Sequence, residues 1–375
     1  MRAGYGDKLR TFFSQYQPLE LIDLGPDVFD TATVDTCILI LKKQKSNFDK
    51  FKAVTLKKEE KNDLFNVFEE KDTYIKITSS AWFVGSDLEY RLKEKIEKIG
   101  KPLKDWGVKI YYGIKTGLNE AFIITTEKRN EILANCKNEE ERKRTEAIIK
   151  PILRGRDIKR YYYEWAGLWV IGTFPALNLN IDDYPAIKKY FLDNFDIRQL
   201  EQSGKKYPHL GFEARKKTGN KWFETQDQIA YYEEFEKEKV VWTPVNSIYS
   251  FVILPSGIYF VNSVFMITGK SPKYFCAIFN SKLIRYYFTF LFSSEEEYTY
   301  ASKENVEKIP IPIITQSNNY LLKQIESLVD KILKAKAQNP KAETSEYEKQ
   351  IDQLVYNLYD LSSEEIEVIE KNDKL

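Results

Sequence analysis

The densest gathering of chemically capable side chains is LRGRDIKRYYYEW (153–165), where Arg154 and Arg156 flank a glycine and Asp157, Lys159 and Arg160 follow. A guanidinium is a rigid fork suited to bidentate contact with phosphate or with O6 and N7 of guanine. A nearby carboxylate orients such a fork or accepts from N4 of cytosine. The same residues also suit an Arg–Asp ion pair that fixes a turn, and residue types leave the two readings level. A second segment, GKKYPHLGFEARKKTGNKW (204–222), collects Lys205, Lys206, Arg215, Lys216, Lys217 and Lys221 with little periodicity. Loops of this composition track phosphate backbones, and ordinary solvated loops share it. A third, GIKTGLNE (113–120), offers Lys115, Thr116 and Asn119 between and beyond two glycines. It lacks the strand–loop–helix context and the GxxxxGK[ST] spacing of a phosphate loop, so it reads as a β-turn.

Charge is sorted along the chain. Lys and Arg total 57 against 56 Asp and Glu, a net charge of +1, which excludes a uniformly basic coat but not a basic face. Residues 142–160 carry a net +6 and 205–221 a net +5, whereas 338–375 carry a net −6. Two basic segments beside an acidic tail suggest one side that faces a polyanion. Cys37, Cys136 and Cys276 lie far apart and His209 is the single histidine. That leaves no spaced zinc ligand set and reads as reduced thiols in a reducing compartment. No segment is apolar enough to span a bilayer and no apolar leader opens the chain, so the expected location is the cytoplasm. Asp27 with Glu59 and Lys61 can be forced into a metal-nuclease layout, but in a chain with 30% charged residues chance explains it better. His209 reads as a surface residue. The Tyr pairs and triplets read as core or half-buried strand positions, some able to stack on bases.

The elements that must position these groups are short and mixed. A helix over 7–16 precedes two apolar runs, 19–25 and 37–43, which together cannot bury a core and look like the last piece of a larger sheet. Residues 44–63 read as a polar connector. A helix over 88–100 ends at Gly100. Two strands around a turn fill 109–125, a charged helix over 139–153 is stopped by Pro151, and 250–262 is a hairpin around Pro255–Gly257. Residues 273–292 read as one helix and 308–314 as extended. The end forms helices from 319, with a capping-box pattern at Ser362 and Glu365.

The stretch KLRTFF…LELIDLG…DVFDTATVDTCILILKK resembles the end of the catalytic domain of restriction-modification N6-adenine DNA methyltransferases. The chain beyond residue 45 resembles the TaqI-like C-terminal specificity domain of type IIG enzymes. Six landmarks occur in order: GIKTGLNEAFIIT (113–125), IIKPILRGRDIKRY (148–161), KWFE (221–224), KVVWTPV (239–245), FNSKLIRYYF (279–288) and EKIPIPI (307–313). The resemblance implies an α+β chain in three parts. Residues 1–45 are the remnant β-hairpin of a Rossmann-like methyltransferase sheet, 46–315 the DNA target-recognition domain, and 316–375 the C-terminal helical hairpin. It also implies double-stranded DNA as partner. Contacts are expected from Lys115, Thr116, Asn119, Arg154, Arg156, Asp157, Lys159 and Arg160, and from Lys205, Lys206, Arg215, Lys216, Lys217 and Lys221.

The departures are as informative. No Pro-Pro pair and no FxGxG-like loop occurs, so the adenine-holding tetrapeptide and the S-adenosylmethionine loop of such enzymes are missing. The chain is therefore expected to be a fragment or separately encoded half, without cofactor or catalytic residues of its own, and to need a separate catalytic part. The alternative is a protein-interaction half of a split methyltransferase or restriction complex. Calorimetric titration of the chain with S-adenosylmethionine should give no binding heat, and micromolar binding would overturn the fragment reading.

Overall fold

In the computed structural model, which describes residues 7–25, 28–29, 36–45, 47–56, 58–71, 73–77, 82, 84–246, 250–292 and 299–372, the first apolar runs form the expected elements. Helix α1 (Asp7–Phe13) leads to β1 (Gln17–Gly25) and β2 (Thr36–Lys42), which pair antiparallel. The polar stretch after them is more than a connector. It holds β3 (Lys50–Thr55), which pairs with β1 in parallel, and is followed by α2 (Leu64–Glu70) and β4 (Tyr74–Lys76), giving the order β2-β1-β3-β4. Alternation explains the strand: Phe51 and Ala53 turn inward onto Leu21, Ile75 and Trp82, while Lys50 and Lys52 turn outward. The expected boundary after residue 45 thus falls inside one sheet. Strand β1 has neighbours on both sides, β2 and β4 are the edges of the described sheet, and on β2 Ile38 and Ile40 are exposed.

A capping box between Ser86 and Glu89 starts α3 (Asp87–Ile99), which buries Tyr90, Leu92 and Ile96 and runs into β5 (Gly100–Pro102). Residues 109–125 do not form a hairpin. Strand β6 (Lys109–Tyr112), the single turn α4 (Asn119–Phe122) and β7 (Ile123–Thr125) are joined in sequence, but the two strands enter different sheets. Helices α5 (Thr126–Ala134) and α6 (Glu139–Ile148) follow. The second stops before Pro151, which lies inside β8 (Ile149–Leu153) opposite Trp169. The small hairpin β9 (Ile158–Lys159) and β10 (Tyr162–Tyr163) precedes β11 (Leu168–Ile171), α7 (Pro185–Asn194) and α8 (Ile197–Leu200). The Lys-rich loop is itself a hairpin, β12 (Lys206–Tyr207) with β13 (Phe212–Glu213).

Strands β14 (Lys239–Trp242), β15 (Val245–Asn246), β16 (Phe251–Leu254), β17 (Tyr259–Phe260) and β18 (Phe265–Thr268) come next. Here too the expected hairpin over 250–262 divides: β16 pairs with β14, and β17 pairs in parallel with β8. The expected single helix over 273–292 is two, α9 (Pro272–Asn280) and α10 (Lys282–Phe292). The buried Asn280 side chain binds both the N–H and the C=O of Phe251, and Ser281 turns extended, so the helix breaks where its last residue joins the sheet. Strand β19 (Thr299–Tyr300) pairs with β15. The turn α11 (Lys303–Val306) and β20 (Pro310–Pro312), paired with β5, lead to α12 (Asn319–Gln338), α13 (Ser345–Leu358) and α14 (Ser363–Lys371).

Two four-stranded sheets, β16-β14-β18-β6 and β17-β8-β11-β7, carry the middle of the chain. Both faces of the first are apolar. Val240, Trp242, Phe251, Ile253, Phe265 and Ile267 face the layer of α9, α10 and α12–α14, whereas Val241, Val252, Leu254 and Met266 face the second sheet. There they meet Ile152, Leu153 and Val170, while Ile149 and Ile171 face a third cluster under α5 and α7. The architecture is helix, sheet, sheet, helix, an α+β arrangement in which β14, β16 and β18 are continuous apolar runs because no face meets water.

The C-terminal helices are fastened to this body by buried charge. Asp352 of α13, 4% exposed, accepts from the Lys282 N–H at the start of α10 at 2.9 Å, and Arg160 donates to Glu348 and to the Asn280 carbonyl, both at 2.7 Å. Burial pushes the Asp352 carboxyl up to about 6, against the Lys282 N–H and the nearby charges of Arg160, Lys282 and Arg285. Between the ordinary Asp value of about 4 and this one, the folded chain holds a proton that the unfolded chain has lost. The contribution is therefore complete below about pH 4 and is lost as pH rises to about 6, amounting to roughly 2–3 kcal/mol. Asp352→Asn, which keeps the acceptor, should abolish this slope in urea midpoints measured from pH 4 to 7.

Candidate nucleic-acid interface

Three strand segments run side by side in one direction and end at one rim. Phe260 pairs in parallel with Leu153 of β8, and Ile114, two residues past β6, bridges in parallel to Val261. The backbone continues this register: Ile114 N–H donates to Phe260 O at 2.7 Å, Asn262 N–H to Ile114 O at 3.0 Å, and Val261 N–H to Leu153 O at 3.0 Å. From the ends of these segments come the turn at 115–119, the turn at 261–264 and the turn at 154–157. The contact needs Gly113, because a Cβ there would lie 2.1 Å from the Val261 carbonyl oxygen.

The turn at 154–157 is built by its own charges. Arg154 grips Asp157 with Nε at 3.0 Å and Nη2 at 2.8 Å, and its backbone N–H binds the same carboxylate at 2.8 Å. Asp157 is buried. Burial alone would raise its pKa, but the Arg154 fork and N–H outweigh this and hold it below the usual carboxylate value. The ion-pair knot weighed from the sequence is thus present, and the Arg154 fork is turned inward. Arg156, two residues beyond Arg154, is exposed and makes no ion pair among the described residues.

The Lys-rich hairpin is locked to the first turn by Arg215, which is 4% exposed and donates all five of its N–H groups to backbone carbonyls. Nε and Nη2 bind Leu200 O at 2.8 and 2.6 Å, Nη1 binds Thr116 O at 2.9 Å and Glu224 O at 2.7 Å, and Nη2 also binds Trp222 O at 2.6 Å. Its guanidinium lies 4.9 Å from the Phe122 ring centre. Burial pushes its pKa down to about 10, with Glu224 opposing, so it stays charged at neutral pH. Gln202 and Asn220 fasten the same loop through carbonyls of residues 221, 224, 225 and 226.

The expected contact residues therefore divide. Lys115, Asn119, Arg156, Lys205, Lys206, Lys216, Lys217 and Lys221 are exposed, with Lys206 paired to Glu213 at 3.0 Å and Lys221 bound to Leu179 O at 3.2 Å. Lys159 is half-buried on β9. Arg215 cannot reach a phosphate, because every donor is used inside. Thr116 is 1% exposed and spends its hydroxyl on Asn119 and the Leu118 N–H. Arg160 turns to the C-terminal helices. The net charge of 142–160 overstated its field for the same reason: beyond the Arg154–Asp157 pair already counted in it, Lys150 pairs with Glu236 and Arg160 with Glu348. The nuclease layout has no single site to describe. Asp27 lies outside the described residues, and Glu59 and Lys61 share one short helical turn beside the Glu60–Lys71 pair.

Sequence reading missed the middle turn, with exposed Asn262 and Ser263. The signal was an Asn-Ser pair between the apolar runs 258–261 and 264–267.

Two neighbours in the hairpin should behave oppositely. Arg215→Lys replaces a five-donor fork by a three-donor ammonium and strands buried carbonyls, so the urea midpoint should report a loss of about 3 kcal/mol or more. Lys216→Ala, one residue on and exposed, should stay within about 0.5 kcal/mol of the parent.

Residues 150–311 match the family described as the TaqI-like C-terminal specificity domain. No curated protein matches the chain in sequence. Among solved structures, the type IIL restriction-modification enzyme MmeI in complex with DNA aligns with a TM-score of 0.50 at 13% identity, covering 96% of this chain and 46% of that one. The type IIG restriction endonuclease BpuSI aligns with a TM-score of 0.41 at 12% identity, with the same coverage. The chain thus spans about half the length of either enzyme, and at such identity the likeness to MmeI is one of fold. The turns at 154–157 and 261–264 and the Lys-rich hairpin all lie within the segment that matches the TaqI-like C-terminal specificity domain, and the turn at 115–119 lies before it.

Proposed function

We propose that this chain is the sequence-specific DNA-recognition part of a restriction-modification adenine-N6 methyltransferase, and that duplex DNA lies along the rim of three turns. The observation that carries the reading is the parallel register of Ile114, β17 and β8, which sets Lys115 on a turn beside those of Asn262 and Arg156, the latter two inside the segment that matches the TaqI-like specificity domain. Exposed cations there bind phosphate and set the position of the duplex without specifying sequence. Lys205, Lys216 and Lys217 extend that contact along the hairpin. Methyl transfer, and the S-adenosylmethionine it consumes, belong to a catalytic part outside this chain. Among the described residues no helix is long and apolar enough to cross a membrane, and the proposed place of action is the cytoplasm.

A second reading, compatible with the first, is partner docking through the N-terminal sheet. Among the described residues strand β2 stands at an edge of its sheet with Ile38 and Ile40 exposed, an arrangement that can accept a further strand.

Duplex binding by the chain alone should be weak, roughly 10⁻⁴ to 10⁻⁶ M, and salt-sensitive, because one wall of a cleft releases few counterions. Replacing both Lys216 and Lys217 by alanine should lower affinity for all sequences and flatten the slope of log affinity against log salt by about one to two. Arg156→Ala should weaken DNA binding with the fold intact. Arg154→Ala should unfold the chain at lower urea by about 3 kcal/mol or more, because it leaves Asp157 buried and unpaired. An unchanged salt slope in the double Lys variant would remove the hairpin from the interface.

A further inference from the structure

We propose that Asn262 is a base-reading residue, the neutral element of the rim that discriminates sequence. The inference rests on the DNA-recognition reading above and assigns within it a role that charge alone cannot fill.

Residues 261–264 form a tight turn closed by Val264 N–H on Val261 O at 2.9 Å, so Asn262 and Ser263 are its two corner residues. Both are exposed, and neither side chain makes a hydrogen bond among the described residues. The backbone beneath them is fixed on both sides: Asn262 N–H binds Ile114 O, Val261 N–H binds Leu153 O, and the Gly113 N–H binds Val264 O at 2.9 Å. A polar side chain with free donors and acceptors, mounted on a rigid corner between two strand ends, is pre-organised for a ligand at little entropic cost.

The neighbouring turns supply the other half of the argument. On the 115–119 turn the exposed cation is Lys115, with Asn119 exposed beside it but its Oδ1 held by Thr116, and on the 154–157 turn the exposed cation is Arg156, while Arg154 and Thr116 are used up in making those turns. Cations therefore flank the rim and an amide occupies its middle. An amide offers a paired donor and acceptor that matches N6 and N7 of adenine in the major groove, a contact that specifies a base pair. The turn also has little room to spare. A Cβ at Gly155 would lie 3.2 Å from Ser263 Oγ and 3.3 Å from Thr243 Cγ2, so the GRD turn carries a glycine where the middle turn approaches it.

The test is a selection of duplexes by the chain from a pool randomised over a dozen base pairs. The wild-type chain should enrich a motif, and Asn262→Ala should erase the preference at one base pair or two adjacent ones and leave the other positions intact. Its affinity for the enriched duplex should fall roughly 5- to 150-fold. The slope against salt should not change, since a neutral amide displaces no counterion. The urea midpoint of Asn262→Ala should match the parent, which separates reading from folding. An unchanged motif, a loss spread over every position, or a wild-type chain that binds duplexes without preference would overturn the role of Asn262 and leave DNA binding standing. A wild-type chain that binds no duplex at low salt would overturn the DNA reading itself.

Discussion

Arg215 satisfies its five N–H groups on the carbonyls of Leu200, Thr116, Trp222 and Glu224, four points in three separate stretches of chain. Desolvating a guanidinium is expensive, and it is tolerated because the fork meets carbonyls that would otherwise be buried without donors. The result is a fixed relation between the turn after β6 and the Lys-rich hairpin. Gly117, at φ +79°, lies against the Arg215 stem and the Gln226 side chain, so the turn has the one residue type that adopts this backbone freely beside a bulky neighbour. With Arg215 in place, the hairpin's exposed lysines become groups at defined positions on the body.

The same economy governs the rest of the rim. The two flanking turns and the hairpin spend polar side chains on their own construction and leave others exposed: Arg154 and Asp157 build where Arg156 is exposed, Thr116 builds beside exposed Lys115, and Arg215 builds beside Lys216 and Lys217. Structural and exposed groups are next to each other in sequence, so a block substitution across any of these segments would confound folding with binding. Single replacements separate the two because the inward members are hydrogen-bonded and the outward ones are not.

Much of the local structure was legible in the sequence. The capping box at Ser362, the extended prolines at 310 and 312 and the long amphipathic α12 follow from patterns that act within a few residues. What could not be read was which strand would pair with which. Residues 109–125 and 250–262 each look like a hairpin because their apolar runs flank turn residues, yet each contributes to two sheets, since both sheets need edge strands that meet at Ile114 and Val261. The strand over 50–55 was hidden by its outward lysines. The break at Ser281 depends on Asn280 finding the backbone of Phe251, 29 residues away.

Charge shows the limit of local reading most clearly. Counted along the chain, 142–160 is strongly basic, but its partners come from Glu236 and Glu348, far downstream. The acidic tail is therefore partly the counter-charge of the basic segment: Glu348 and Asp352 of α13 face Arg160 and the start of α10. A polyanion meets only the cations left over after this internal pairing. In the proposed reading several of these lie on turns whose backbones are held rigid, so specificity would come from the placement of a few groups more than from the strength of the field.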